Sequence, residues 1–430
     1  MHVLKIEFSC TAIVLAIVAI FISGCSPKAE FRQNAVEILT VERQQRLKPG
    51  ENFADHHLQD LSDIMTAMFG TPDEPNFLFV DGEQDKAHEI ISLENLQLAA
   101  GPVKSARDGE HGGLYREHCA QCHGISGGGA GPTAAFLNPY PRDFRLGVFK
   151  FKSTKLGRKP TDEDLRRTLV NGIPGTGMPS FRTLPDSEID SLIDYVKYLS
   201  IRGQVELELI GEIGGLSEKQ RLVDLNWRRK NSDHDPEDNS NKRFQDELEE
   251  YDDSLLFVVE DIFQDKALKG WLRANGSATP VPDPPPAISP DHADHSNLVN
   301  LGRTLFAGKA NCAQCHGDTG LGDGQTTNLD EWTKRWVNGA NVEVNDPDSY
   351  QEFLDAGAFA PRMISPRNLR LRVYRGGDRL SDLYRRVANG IEGSGMPDND
   401  IKPEEVWALV AYVRNMPFET MGQTDHRRSK

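Results

Sequence analysis

Two copies of one pentapeptide decide how this sequence is interpreted: Cys119-Ala120-Gln121-Cys122-His123 and Cys312-Ala313-Gln314-Cys315-His316. The chain has six cysteines, and the other two, Cys10 and Cys25, lie in the N-terminal segment. No cysteine is therefore left for a separate disulfide framework. The two pentapeptides predict two equivalent sites with the same chemistry.

Each pentapeptide begins the same longer pattern, which indicates an internal duplication. A glycine-rich loop follows the pentapeptide, and a helical pattern comes next. The sequence then passes through Asn-Gly-Ile to Gly-Met-Pro in the same register, at residues 171–179 and again at 389–397. An amphipathic helix pattern ends each copy. The order of these elements predicts two small helical domains of one kind.

The second copy is longer than the first because of an insertion between Gly324 and Pro366. This insertion contains Trp332, Trp336 and Tyr350. Such a segment can shield the edge of a cofactor or dock a partner, but insertions are more often tolerated surface loops. The sequence leaves these alternatives open.

The chemistry of the pentapeptide is that of covalent haem attachment. Cys-x-x-Cys on a helical turn places both sulfurs on one side, where they can add to the two vinyl groups of a haem, and the adjacent histidine reaches the iron. Two Cys-x-x-Cys pairs can also form a zinc site, but here each pair has its own histidine and its own downstream methionine, a ligand that suits haem iron. A redox-active dithiol needs a thioredoxin-like βαβ context, which the pattern lacks. We therefore expect two covalently bound haem c groups, attached through Cys119, Cys122, Cys312 and Cys315.

The expected axial ligands of the two irons are His123 with Met178 and His316 with Met396. Both methionines precede a helix within a loop, whereas a core methionine usually appears at helical spacing on an apolar face. Further histidines are alternative ligands in principle, although most histidines outside a motif lie on the surface: His56, His57, His111, His118, His292 and His295.

These motifs resemble those of class I cytochromes c in a tandem dihaem form, over roughly residues 105–203 and 297–417. The resemblance implies an all-α fold in which the aromatic side chains Tyr195 and Tyr412 pack against the first helix of their domains. It also implies that a proline carbonyl, in the segments 141–144 and 366–369, supports the histidine ligand. Arg142 and Arg367 are the corresponding candidates to pair with haem propionates.

The N-terminus predicts export and lipid attachment. Residues 11–22 form an uninterrupted apolar stretch that suits a signal peptide better than a membrane span. It closes in Ile22-Ser23-Gly24-Cys25, which resembles the bacterial lipobox, in which the cysteine is lipidated. An uncleaved anchor or an ordinary signal peptide are the alternatives. We expect lipidation of Cys25 and a location on the periplasmic side of a bacterial membrane.

Charge and composition limit the class of partner and show where the two repeats are separated. The formal net charge of −16 argues against binding nucleic acid, which requires clustered Lys and Arg. An acidic run at 233–260, of the kind that is usually solvated or disordered, and a stiff proline-rich stretch at 280–290 separate the two repeats. The predicted organisation is a signal peptide (1–24), an N-terminal appendage (25–104), a first cytochrome c domain (105–203), a linker region (204–296) and a second cytochrome c domain (297–420).

The predicted function is one-electron transfer in a bacterial respiratory chain, because an iron with both histidine and methionine ligands has no vacant position for substrate. The resemblance implies redox proteins or respiratory complexes as partners, with electrons passing from a quinol-oxidising complex to a terminal oxidase or reductase. The chain then acts as a carrier or as an electron-transfer subunit. The alternative is a dihaem enzyme of the cytochrome c peroxidase type, which would need one iron with a displaceable or missing methionine.

Overall fold

The computed structural model describes residues 28–45, 52–77, 87–105, 107, 111–236, 241–325 and 328–420. Across these ranges the chain is helical and has no β-strand, only isolated bridges between extended residues. This confirms the predicted all-α fold. The predicted signal peptide and lipidation site Cys25 lie outside the described residues. Among the described helices, none is both long enough and apolar enough to cross a membrane.

The N-terminal appendage consists of α1 (Ala35–Gln44), α2 (Asp55–Phe69) and α3 (Leu93–Ala99). The apolar side chains of α2 and α3, among them Leu61 and Leu96, belong to the same buried cluster as the core of the first repeat. The appendage therefore shares its hydrophobic core with that repeat, and this burial holds the two segments together.

The first repeat contains α4 (Leu114–His118), α5 (Ala120–His123), α6 (Asp162–Asn171) and α7 (Asp186–Ile213). A capping box starts α6, in which the Thr161 side chain accepts from the Asp164 backbone and the Asp164 carboxylate accepts from the Thr161 backbone. Helix α7 runs past the predicted domain boundary at 203, because apolar residues recur at helical spacing to its end and are buried: Val205, Leu209, Ile210 and Ile213.

The region between the repeats is more ordered than its charge predicts. It contains α8 (Leu225–Lys230), α9 (Lys242–Leu256), a π-helical segment (Phe257–Leu268) and α10 (Lys269–Leu272). Helix α9 agrees with the expected solvated face, since Phe244 is its only buried residue. The π-helical segment instead buries Val258, Ile262 and Phe263 in the core cluster that α7 also joins, so apolar contact orders the end of the acidic run.

The second repeat contains α11 (His295–Ala307), α12 (Ala313–His316), α15 (Leu380–Asn389) and α16 (Pro403–Asn415), with α13 (Glu331–Gly339) and α14 (Gln351–Asp355) inside its insertion. The insertion is not a free surface loop. Its Trp332 lies 6.0 Å from the Tyr140 ring of the first repeat, and Arg335 Nε donates to Glu37 of α1 at 2.7 Å. The insertion therefore ties the second repeat to the first repeat and to the appendage.

The first and last helices of each repeat cross through an aromatic pair. Tyr115 and Tyr195 have ring centroids 4.8 Å apart in the first repeat, and Phe306 and Tyr412 are 5.4 Å apart in the second. These are the contacts that the resemblance implied for Tyr195 and Tyr412. In the second repeat the helices approach so closely that a Cβ on Gly302 would lie 2.0 Å from the carbonyl oxygen of Ala408. The crossing positions the pentapeptide, which follows the first helix directly in the first repeat and after residues 308–311 in the second.

Candidate functional site

The pentapeptides form matching helical turns in the two repeats. In the first, the amides of Cys122 and His123 both donate to the Cys119 carbonyl, at 3.1 and 2.9 Å. In the second, His316 donates to the Cys312 carbonyl at 2.9 Å. The four pentapeptide cysteines are not in disulfides. This backbone places two thiols and one imidazole within five residues on a short turn, which is the donor set that covalent haem attachment requires.

Both pentapeptide histidines are oriented by a backbone carbonyl. His123 Nδ1 lies 2.9 Å from the carbonyl oxygen of Arg142, and His316 Nδ1 lies 3.1 Å from that of Arg367. A proton on Nδ1 that is donated to this carbonyl leaves the Nε2 lone pair available for a metal. Burial lowers the pKa of His123 to about 4 and also lowers the pKa of His316, so both rings are neutral near pH 7.

The supporting carbonyl is not the one that the resemblance implied. We expected the proline of each segment, but the acceptor belongs to the arginine that follows it. The carbonyl of Pro141 faces the glycine loop instead, where it lies 2.7 Å from the position of a Cβ on Gly129. Pro366 has the same relation to Gly322, at 2.5 Å. Because successive carbonyls in extended backbone point in opposite directions, only the arginine carbonyl faces the histidine.

The Gly-Met-Pro loops have the same backbone geometry in both repeats. Ile173 N donates to the Met178 carbonyl at 3.1 Å, and Ile391 N donates to the Met396 carbonyl at 3.0 Å. Within each loop a hydroxyl, that of Thr176 or Ser394, accepts from the methionine amide. Each loop therefore closes on itself and holds its half-buried methionine in a defined place.

In the first repeat the structure brings the predicted residues to one cavity. Its unfilled space is about 1300 Å³, counting the part open to solvent, and it is lined by Cys119, Cys122, His123 and Met178. Most of its remaining wall is apolar, with side chains that include Leu165, Leu169, Ile193 and Val196. The His123 ring stacks on Phe144, with centroids 4.4 Å apart. An apolar cleft with two thiols, a neutral imidazole and a thioether fits a covalently attached haem.

The histidines outside the pentapeptides have other surroundings. His111 lies 2.9 Å from carboxylate oxygens of both Glu188 and Glu117, which raise its pKa. His57 of the appendage lies 2.8 Å from the carbonyl oxygen of Gln220, and His295 lies 2.9 Å from that of Ala287. His118 lines the cavity and lies beside Phe181, with ring centroids 5.8 Å apart and the rings tilted by 58°. Of the alternative ligands considered from the sequence, His118 is therefore the one that reaches this cavity.

Two cations at the cavity were not predicted from the sequence. Lys150 of the first repeat and Arg375 of the second both line it, beside the expected Arg142. A signal was present, because Lys150 and Arg375 stand at equal distances after the matching residues Arg142 and Arg367. The sequence pattern does not reveal that Arg375 lines the cavity of the first repeat.

Comparisons with known proteins agree with the division into two repeats. Residues 105–196 match the family model for cytochrome c oxidase, cbb3-type, subunit III, and residues 299–417 match the model for cytochrome c. A solved structure with overall similarity is the Kuenenia stuttgartiensis reducing HAO-like protein complex Kustc0457/Kustc0458, at 19% sequence identity and a TM-score of 0.41. That match covers 73% of this chain and 97% of the other. No curated protein sequence matches this chain.

Proposed function

Because the chain carries two cytochrome c-type domains in tandem, as the resemblance predicted, we propose that it is a dihaem electron-transfer protein. The two domains imply covalently bound haem c. The proposed number is two, one for each pentapeptide. The observation that carries the proposal is the equivalence of the two sites, since each repeat has the same Cys-x-x-Cys-His turn, the same histidine–carbonyl bond and the same closed methionine loop.

Each group of the site has a proposed role. Cys119 and Cys122, and likewise Cys312 and Cys315, hold the haem through thioether bonds, so that transient opening of a domain does not release it. His123 and His316 would hold the iron through Nε2, while their Nδ1 bonds keep the rings in orientation. Met178 and Met396 would supply the thioether ligands. When bound in this way, the haem iron supplies reversible one-electron chemistry, and methionine ligation raises its reduction potential.

We place this electron transfer in a bacterial respiratory chain, between a quinol-oxidising complex and a terminal oxidase or reductase. The match of the first domain to a subunit family of a terminal oxidase supports a respiratory setting. The proposed partners are redox proteins or respiratory complexes. The chain could act as a freely diffusing carrier or as a subunit that is docked in a respiratory complex. The large ordered appendage and the insertion favour the docked subunit.

The first test is a haem count on cysteine variants, produced in a host that attaches haem c. We expect two haems per wild-type chain, and one in the double variants Cys119→Ser/Cys122→Ser and Cys312→Ser/Cys315→Ser. The measurement is the absorbance of the alkaline pyridine complex divided by protein concentration, with haem staining after denaturing electrophoresis to establish covalency. A wild-type chain without covalent haem would contradict the proposal, because no other feature of the sites transfers electrons.

The proposed location is the periplasmic side of a bacterial membrane, with an anchor of lipid on Cys25. The lipobox-like sequence before Cys25 supports this proposal. We expect Cys25→Ser to abolish lipid incorporation. The chain should then leave the membrane fraction or be processed slowly, because it lacks the acyl chains that stable anchoring requires. The measurement is fractionation with labelled fatty acid. An equally processed and equally membrane-bound Cys25→Ser chain would exclude the anchor.

A further inference from the structure

The cavity of the first domain is completed by a side chain from the second. Arg375 lines this cavity together with Arg142 and Lys150 of the first domain. The same cavity is lined by His123 and Met178. The guanidinium of Arg375 also lies near the methionine loop of the first domain, with Nη2 donating to the Gly175 carbonyl at 3.5 Å. Arg375 therefore belongs in space to a site that is distant from it in the chain.

Arg375 is one of four clustered cations that lack a carboxylate partner. Within the part of the chain that the structure describes, no ion pair joins Arg142, Lys150, Arg367 or Arg375 to an Asp or Glu. The Nε atoms of Arg367 and Arg375 are buried without any hydrogen-bond partner. These side chains are half-buried, and nearby carboxylates act on Arg142 and Lys150 without forming an ion pair with them. Because a partly desolvated charge without an ion-pair partner is costly, this cluster is suited to receive anions.

The desolvation of the cluster is strong enough to affect protonation. Burial, and after it the neighbouring charge of Arg142, lower the pKa of Lys150 to about 7. Burial and the charge of Arg367 lower the pKa of Arg375. Bound carboxylates would reverse these shifts and offset the repulsion between the cations.

The domain interface holds Arg375 in this position. Arg386 Nη1 of the second domain donates to the Lys150 carbonyl at 2.8 Å, and Asn389 Nδ2 donates to the Ser153 carbonyl at 3.1 Å. A buried Lys152 forms an ion pair with Glu392 across the same interface. These contacts fix the backbone on both sides of the cluster, so the place of Arg375 depends on docking of the two domains.

We propose that Arg375 reaches across the domain interface and binds a propionate carboxylate of the haem in the first domain. Docking of the second domain then completes the haem site of the first. This inference rests on the proposed function, because the anion is the carboxylate edge of the proposed haem. It differs from the expectation for Arg142 and Arg367, which concerned each domain separately.

The positive charge of Arg375 beside the propionate would raise the reduction potential of the first haem. The oxidised iron carries one more positive charge than the reduced iron, so a nearby cation favours the reduced form. Arg375 thus acts as a positioning and tuning residue, and the second domain sets the potential of the first through it.

The test is a spectroelectrochemical titration of the full-length holoprotein with Arg375→Gln. We expect the first haem to shift to lower potential, such that its ratio of reduced to oxidised form at a fixed ambient potential falls by roughly three- to tenfold. The second haem should change less. The titration step of the first haem is identified from the Met178→Ala variant, in which that step moves.

Matched variants separate a specific contact from loss of charge or loss of structure. Arg372→Gln removes a cation from the same segment, but its guanidinium is exposed and lies over the Phe418 ring at 5.3 Å, so we expect little shift. Arg375→Lys should restore most of the potential because it keeps the charge. Arg386→Gln removes two interface bonds and should lower the first potential while Arg375 is still present.

Two results are distinguishable from one another. A wild-type chain without haem in the first domain would overturn the proposed function, and the haem count detects it before any titration. If both haems are present and Arg375→Gln shifts the first potential no more than Arg372→Gln does, the inference about Arg375 is wrong. A fall in thermal stability without a shift in potential would also overturn it, because that result assigns Arg375 a packing role alone.

Discussion

Replacing Met178 with alanine is expected to open one iron of the protein and to leave the other unchanged. The loop around it should persist, because its bonds run through the backbone of Ile173 and the hydroxyl of Thr176. The first haem should become high-spin, bind carbon monoxide when reduced and lose potential, since axial ligation tunes haem potentials over a span of about 0.8 V. The near-infrared sulfur-to-iron absorption should fall by about half. Optical spectra and a redox titration measure all four effects.

The equivalent change at Met396 should produce the same effects at the second haem only. Covalent attachment should survive both changes, since the cysteines are untouched. Met363→Leu is the matched control, because Met363 is 47% exposed and lies outside both Gly-Met-Pro loops. A native protein that already has a high-spin haem open to small ligands would show that one methionine is not a ligand. The dihaem peroxidase alternative would then be preferred to the electron carrier.

Replacing Gly302 with alanine is expected to destabilise the second domain severely. A Cβ at this position would lie 2.0 Å from the Ala408 carbonyl oxygen and 2.7 Å from the Tyr412 Cβ, so helices α11 and α16 would have to separate. Overpacking of this kind costs about 1–3 kcal/mol, and here the obstructing atoms are mainly backbone, which relaxes little. We expect a lower urea midpoint for the second domain, followed by far-UV circular dichroism and by loss of its low-spin haem spectrum.

Gly211→Ala provides the matched control for this change. Gly211 also lies inside a helix, α7, but no atom comes within 4 Å of the position of its added Cβ. Alanine should therefore leave stability unchanged or raise it by up to about 1 kcal/mol, the difference in helix propensity. Equal midpoints for Gly302→Ala and the wild type would mean that the helices do not cross as closely as described.

The all-α fold and the duplication were predictable because both depend on local patterns. Helix periodicity, the capping signal at Thr161 and the glycine-rich loops each occupy a short stretch of chain. Helix α7 continues beyond the predicted domain boundary at 203, since its last turns are held by contact with the π-helical segment and the appendage. The acidic run was expected to be solvated or disordered, but its end is ordered because the π-helical segment that begins there buries Val258, Ile262 and Phe263.

The sequence by itself determined the candidate haem chemistry, because attachment through two thiols and an adjacent imidazole requires fixed spacing within five residues. It also determined which methionine to associate with each pentapeptide, through the repeated order of motifs. Only the tertiary structure decided that the arginine carbonyl, rather than the proline carbonyl, supports each histidine. It alone placed the insertion against Tyr140 and α1, and Arg375 in the cavity of the first domain. These contacts join residues that are far apart in the chain, and burial and charge select them after folding, so no local spacing of residue types records them.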